Sequence, residues 1–490
     1  MAASCKKRTS LTSLICRSSS GGFEEDHDDD QRKPLVPLSP SSQYIHTKEL
    51  SLAVIVVFEL ETLLNEAEAF QGVRDELLPM NSRFSSILVA DEKGARYWKK
   101  VELINLEDHV KNPRFPEGLS AETYEAHLHK YLGKIAMVPF VESKPLWELH
   151  IFNYPTSAAA ATVLFKLHHA LGDGFSLMGA LFSCIKRAED PSLPLTFPSA
   201  AKVKYCRGER KVLKMAASAV AGVWYTACDV ARSVLKSSVV EDGRSAIRSG
   251  RPHVETRPVA FSTVVLSLER IRQVKSRVGG TVNDVVVGVM FYGFHIYNKK
   301  MGQTSQNMTS LVLLNTKMVN GYQSIQEMLE TSAWGNNFTF IQVPIPSCEN
   351  VDEVNPLIFM TKAGDIIKRK RNSLEIFIIG FLLKMLWKIC GSEAVSRYIY
   401  RTLYNTTSTI SNLIGPAEKI QIANCPVKNF YFFVTGAPQS IGTMVVSYME
   451  KLTIALILEE GFVAPPLLVS CIYDAFERIY RAALGSADML

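Results

Sequence analysis

The 490-residue chain reads as an α/β protein with mixed sheets flanked by helices. Three observations predict that class. Residues 161–167 form an apolar run of the length expected for a buried strand, and Phe175, Leu177, Met178, Leu181, Phe182 and Ile185 then follow at helical spacing. The second half repeats the alternation, with a strand over 259–268, helices over 268–278 and 285–297, and a short buried strand over 311–314. Hydrophobic residues make up 47% of the chain and charged residues 21%, which suits a large core and excludes overall disorder.

In chain order, residues 1–35 read as a disordered tail: Lys6, Lys7, Arg8 and Arg17 lie among serines, and an acidic run follows. An organelle transit peptide is the other reading of that stretch. Residues 50–60 are strand-like, 61–70 carry helical spacing, and 85–90 and 97–103 alternate as a strand pair. Residues 121–132 read as a helix with Ser120 as N-cap, and 145–152 as a strand beside 161–167. The N-terminal domain is therefore placed at 36–195.

Pro191, Pro194 and Pro198 mark a shift in composition. Residues 196–258 read as a basic crossover, with Lys202, Lys204, Arg207, Arg210, Lys211 and Lys214 ahead of a helix over 211–235. Its apolar part, 215–227, is shorter than the roughly 20 residues a bilayer span needs, so a buried or interfacial helix is predicted.

The C-terminal domain is placed at 259–490. Asn283 and Asp284 suit an N-cap for a helix from Val285. Residues 338–343 alternate, and 354–371 read as a helix ending in a basic run, 368–371. The apolar stretch 376–390 is interrupted by Lys384 and Lys388, four apart, which predicts a helix lying on a membrane, with a buried core helix as the alternative. Strands are expected over 409–414, 430–434, 443–448 and 451–458, the last two as a hairpin, and a helix over 465–484 closes the chain.

The candidate site is the turn HHALGDG, residues 168–174, between the 161–167 strand and the helix after it. One imidazole, with an ordinary pKa of about 6.5, can take a proton from a hydroxyl near neutral pH. A metal site and a purely structural pair are the other readings, and no further cluster of metal-ligand residue types completes a site. The chain carries no GxSxG elbow, Walker loop or GxGxxG fingerprint. A base without a nucleophile of its own points to direct transfer between two bound substrates. The formal charge of +6 suits anionic ligands or anionic membrane surfaces and is too small to argue for nucleic acid. Nine scattered cysteines, an odd number without CxxC, read as reduced thiols facing the cytosol.

HHALGDG matches the HHxxxDG motif of the CoA-dependent acyltransferase superfamily. PLWELHIFN (145–153), PLSPSSQY (37–44), TVNDVVVGV (281–289), LLNTK (313–317), WGNNF (334–338) and SNLIGP (411–416) resemble segments of plant-type wax ester synthases/diacylglycerol acyltransferases. The resemblance runs from about residue 37 to the C-terminus. It implies two chloramphenicol-acetyltransferase-like domains with an active-site tunnel between them. It also implies transfer of a fatty acyl group from acyl-CoA to a long-chain alcohol or diacylglycerol.

By position, the resemblance makes His169 the proton acceptor, gives His168, Asp173 and Gly174 supporting roles, and marks Asn283 as a contributor from the second half. It implies acyl-CoA as co-substrate with no metal or prosthetic group, and the cytosolic face of the endoplasmic reticulum membrane as location, with the plasma membrane as the other choice. An oxyanion donor is required, with Thr407, Ser408 and Ser411 as candidates. Basic residues should meet the CoA phosphates, with 202–214 and 368–371 as candidates. Leu146 and Trp147 read as core, Asn336 and Asn337 as turn residues. Where relatives carry an aspartate and a PDP-like element, this chain has Glu459, Glu460 and Ala464-Pro465-Pro466. An acyltransferase of small soluble alcohols or amines is a first alternative, disfavoured because the DFGWG element is absent. A non-catalytic lipid- or CoA-binding relative is a second, against which the intact His169 argues.

Overall fold

A seven-stranded sheet is centred on the strands Ala53–Leu60 and Ala161–His168. Both are nearly continuous runs of β-branched, leucine and phenylalanine residues, and almost every position is buried. That composition belongs to strands covered on both faces. The strands pair antiparallel over their full length, Ala53 opposite His168 and Leu60 opposite Ala161. Trp147–Phe152 pairs on the other side of Ala161–His168, as its alternation predicted. Trp147 itself is core: it is fully buried, and its indole donates to the Phe84 carbonyl at 2.9 Å.

The second sheet has six strands in the order Phe338–Pro344, Thr309–Asn315, Ser408–Ile414, Ile441–Tyr448, Lys451–Glu459, Val259–Ser267. The predicted hairpin is present, with Tyr448 opposite Lys451. Helices Leu268–Val278, Val282–Lys300, Leu357–Arg371 and Pro465–Leu484 build its outer core, with Val282–Lys300 buried almost throughout. Pro465, in the segment that departs from the relatives' pattern, occupies the first turn of the closing helix, where its missing N–H costs nothing.

The structure, a computed structural model, describes residues 35–92, 94–196, 212–303, 307–315, 336, 338–371 and 373–485. Residues 1–34 of the expected tail, the basic residues Lys202, Lys204, Arg207, Arg210 and Lys211, and Trp334, Gly335 and Asn337 lie outside them.

One strand crosses between the halves, and one expectation is corrected. Cys425–Thr435 pairs antiparallel with Ala53–Leu60, so 36–195 and 259–490 share a seven-stranded sheet. An alternating strand does not reveal from sequence which edge it will join. The 285–297 helix starts earlier, at Val282, with Thr281 as the cap: Thr281 Oγ1 accepts from Asp284 N and Asp284 Oδ2 accepts from Thr281 N, a reciprocal capping box.

The SNLIGP segment has a steric reason for its glycine. A Cβ on Gly415 would lie 2.2 Å from the Ser447 carbonyl oxygen and 2.9 Å from Phe430 Cζ, so only glycine lets the chain leave the Ser408–Ile414 strand against its neighbour.

Candidate active site

The HHALGDG turn is held from several sides. His169 N donates to Leu52 O at 2.9 Å, and Leu171 N to His168 O at 3.0 Å. Asp173 caps the helix Gly174–Ser183 by accepting from Ser176 N at 2.8 Å. Arg83 reaches in from a distant turn, donating to Leu171 O at 2.9 Å while its guanidinium lies over the Trp98 ring. Lys166, buried in the strand just before the turn, donates to Val138 O at 2.6 Å and sits over Phe140. It therefore draws the end of the helix Ala121–Met137 against the site.

The two histidines have different surroundings. His168 Nδ1 accepts from Ala170 N at 3.0 Å, so its proton belongs on Nε2, which lies 3.1 Å from both Ser51 Oγ and His46 Nδ1. Burial, then the neighbouring His46, holds the His168 pKa well below the usual histidine value. Burial and Arg96 bring that of His46 down to about 4. His168 is thus a neutral, hydrogen-bonded part of the loop.

His169 is also buried, and it lines a cavity. Its Nδ1 lies 2.9 Å from Asn336 Oδ1. Burial lowers its pKa, opposed by Asp173, by the carbonyls of His169 and Gly172, and by the Asn336 side chain. A lowered histidine pKa leaves the ring neutral and able to accept a proton at neutral pH.

The cavity is enclosed by both sheets. Leu52, Val54, Val56, Asp173, Gly174 and Leu177 come from the first half, and Phe340, Thr409, Asn412, Leu413, Gly442 and Ile457 from the second. Its walls are mainly apolar, with the imidazole among a minority of polar side chains, a composition suited to a long hydrocarbon chain. Gly174 forms part of the wall, where an added Cβ would touch Leu413 at 3.5 Å.

Other candidates fall less close to the histidine. Asn283 is one residue behind the wall: its Oδ1 accepts from the cavity-lining Asn412 at 3.4 Å. Of the oxyanion candidates, Thr407 is bonded to Asp242 at 2.7 Å and Ser408 to Ser310 at 3.0 Å, so both are committed elsewhere; Ser411 lines the cavity. Glu459, at the departure from the relatives' pattern, lines it too and is tied to Ser440 and Arg251. The 368–371 run is not one solvated patch for phosphates: Lys370 is buried against Glu375, and Arg369 pairs with Asp229.

Asn336 was expected in a turn. Instead its carboxamide joins three sequence motifs. Nδ2 donates to His169 O and to Ser42 Oγ, both at 2.8 Å, and Ser41 Oγ donates to the Asn336 carbonyl at 2.6 Å. Ser41 and Ser42 belong to the short helix Pro40–Tyr44 of the PLSPSSQY segment, with Ser39 as its cap. Nothing local in the sequence announced a contact 167 residues from His169. The signal available was the asparagine pair in a segment that already resembled the family.

Two sheets enclosing a mainly apolar cavity, with a buried histidine in its wall, make a two-lobed α/β fold with its candidate site between the sheets. Residues 46–286 match the family model described as the wax ester synthase/diacylglycerol acyltransferase catalytic domain, and residues 334–480 match that of the WS/DGAT C-terminal domain. The chain belongs to the wax ester synthase/diacylglycerol acyltransferase family, whose members are acyl-CoA-dependent O-acyltransferases. It is 27% identical to wax ester synthase/diacylglycerol acyltransferase 4 of Arabidopsis thaliana, over 94% of this chain and 92% of that protein. It is 27% identical to protein 6 of the same series and organism, over 94% and 96%. Its fold is similar to that of the wax ester synthase/diacylglycerol acyltransferase from Marinobacter aquaeolei VT8, with a TM-score of 0.57 at 14% identity, covering 91% of this chain and 100% of that one.

Proposed function

We propose that this protein transfers a fatty acyl group from acyl-CoA to a long-chain alcohol, giving a wax ester, or to diacylglycerol, giving triacylglycerol, with His169 as general base and no covalent intermediate. The observation that carries this reading is His169 itself, neutral and buried in the wall of an apolar cavity built from both sheets. The imidazole takes the acceptor hydroxyl proton as the oxygen attacks the thioester carbonyl. A C–O bond forms, the C–S bond breaks, and the protonated imidazole returns its proton to the departing thiolate, releasing free CoA. His168 and Asp173 keep the loop in shape. Holding both substrates in one channel supplies the proximity that replaces a covalent relay.

Purified protein supplied with palmitoyl-CoA should form ester with hexadecanol or diacylglycerol and none with a small phenolic alcohol. Ester with the phenol alone would favour the soluble-acceptor alternative; no thiol release with any acceptor would favour the non-catalytic one.

The protein is further expected to sit on the cytosolic face of the endoplasmic reticulum membrane. Among the described residues no helix is long and apolar enough to cross a membrane. The helix Glu375–Tyr404, broken at Gly391, supports attachment from one side. Its inner face packs Leu383, Leu386 and Trp387 onto a cluster containing the cavity residues Leu52 and Leu403. Its outer face exposes Phe377 by 74%, Phe381 by 62% and Ile389 by 74%, with Lys384 and Lys388 also exposed. An apolar stripe edged by lysines suits the boundary between acyl chains and anionic headgroups. The wild type should float with vesicles containing phosphatidylserine and be released from cell membranes by carbonate. A Phe377→Asp/Phe381→Asp variant should lose flotation while keeping its thermal stability; unchanged flotation would remove this helix from membrane binding.

A further inference from the structure

We propose that Asn336 is the residue that positions the base: its carboxamide fixes the His169 ring in the tautomer that carries its proton on Nδ1. The inference deepens the reading of His169 as general base. The amide's orientation follows from its partners. His169 O is a carbonyl and can only accept, so the group 2.8 Å from it must be the NH2. That NH2 spends its second proton on Ser42 Oγ at 2.8 Å. The remaining atom, Oδ1, faces His169 Nδ1 at 2.9 Å and can only accept, so Nδ1 must donate. A neutral ring with its proton on Nδ1 carries its lone pair on Nε2, the nitrogen that takes a proton from the acceptor.

The same side chain binds the backbone and the ring of one residue, so it sets the imidazole plane as well as the tautomer. Asn336 is 5% exposed, which makes exchange of these bonds for water costly. It is in turn clamped by the Pro40–Tyr44 helix, through Ser41 Oγ on its carbonyl and Ser42 on its amide. Three segments far apart in the sequence therefore converge on the orientation of one ring. Asn336 acts through His169 and is a positioning residue.

The other titratable groups around His169 are Asp173 at the start of the following helix and His168 in its own loop, with His46 and Arg96 behind His168; Glu255 and Glu459 line the same cavity. The Asn336 bond favours the protonated ring, so removing it should lower the His169 pKa further. In Asn336→Ala, kcat should fall by between about tenfold and the hundredfold expected for loss of the base. KM for acyl-CoA should stay near the wild-type value, and the acid limb of kcat/KM should move to lower pH. In Asn336→Asp, which keeps an acceptor opposite Nδ1, that limb should lie at or above the wild-type position.

A merely structural role would lower kcat and leave the limb in place, and that result in a folded Ala variant would overturn the proposal, as would an Asp limb below the wild-type one. A second measurement needs neither variant nor turnover. Long-range proton–nitrogen spectra of wild-type protein with labelled histidine, with the His169 signals assigned by their loss in His169→Ala, should show the proton on Nδ1 near neutral pH. A proton on Nε2 would overturn the proposal whether or not the protein esterifies any acceptor, so its failure is separable from failure of the transferase reading.

Discussion

Replacing His169 with alanine should lower turnover with palmitoyl-CoA and hexadecanol by at least about a hundredfold, the low end of what a positioned general base contributes. The adjacent imidazole cannot easily stand in: His168 uses Nδ1 to accept a backbone amide and Nε2 for Ser51 and His46. Acyl-CoA binding should survive, because the cavity walls stay in place. The effect should fall on kcat, with KM for acyl-CoA little changed. The pH dependence carries the sign of the pKa shift. Burial lowers the His169 pKa below 6.5, so the neutral form persists below the pH at which an exposed histidine would protonate. The acid limb of the wild-type profile should therefore lie below that of an unperturbed histidine, and His169→Ala should abolish it. A folded His169→Ala protein with near-normal turnover would show the base to be another group.

What could be read from the sequence was local. Ala161–His168 and Ala53–Leu60 announced themselves because strands covered on both faces must be apolar throughout. The helices Leu268–Val278 and Pro465–Leu484 were read at their observed bounds, because a Ser cap with a glycine stop and a proline start are signals written in adjacent residues. The HHxxxDG turn was legible for the same reason. What the sequence did not show were contacts between distant segments. Asp229, on the helix Val212–Ser238, gives its carboxylate to Arg369 and Lys370 on another helix, a pairing that no neighbouring residue announces. Asn336 looked like a turn residue because a single asparagine carries no mark of the ring it will bind. Residues 430–434 read as a strand, but only the assembled sheets decide which edge has room for the full Cys425–Thr435 strand.

The basic run 368–371 is where the sequence reading and the structure part most sharply, and it leads to the largest stability effect expected away from the catalytic histidine. A run of four cations normally faces solvent, but Lys370 is 1% exposed. Its Nζ lies 3.1 Å from both Glu375 oxygens and 3.9 Å from Asp229 Oδ1, while Arg369 approaches the same Asp229 oxygen at 3.0 Å and Ser233 donates to Glu375 at 2.5 Å. The other Asp229 oxygen is buried with no hydrogen-bond partner among the described residues. Helices Val212–Ser238, Leu357–Arg371 and Glu375–Tyr404 thus meet over two buried carboxylates, Glu375 held by the buried Lys370 ammonium and Asp229 shared between Lys370 and the half-exposed Arg369. Lys370→Met keeps the aliphatic stem and removes the charge, and should destabilise the protein by about 3–5 kcal/mol, the usual cost of stranding a buried charge. Unfolding in urea, followed by circular dichroism, should show a lower midpoint with a similar slope. If the loss comes from stranded charge, adding Glu375→Gln should recover part of it, since that change removes one of the two carboxylates. A single variant within about 1 kcal/mol of wild type would mean that water or rearrangement satisfies the carboxylates. The same corner roots the helix whose outer face carries Phe377 and Phe381, so Lys370→Met should weaken vesicle binding as it loosens that root, at a residue that itself touches no lipid.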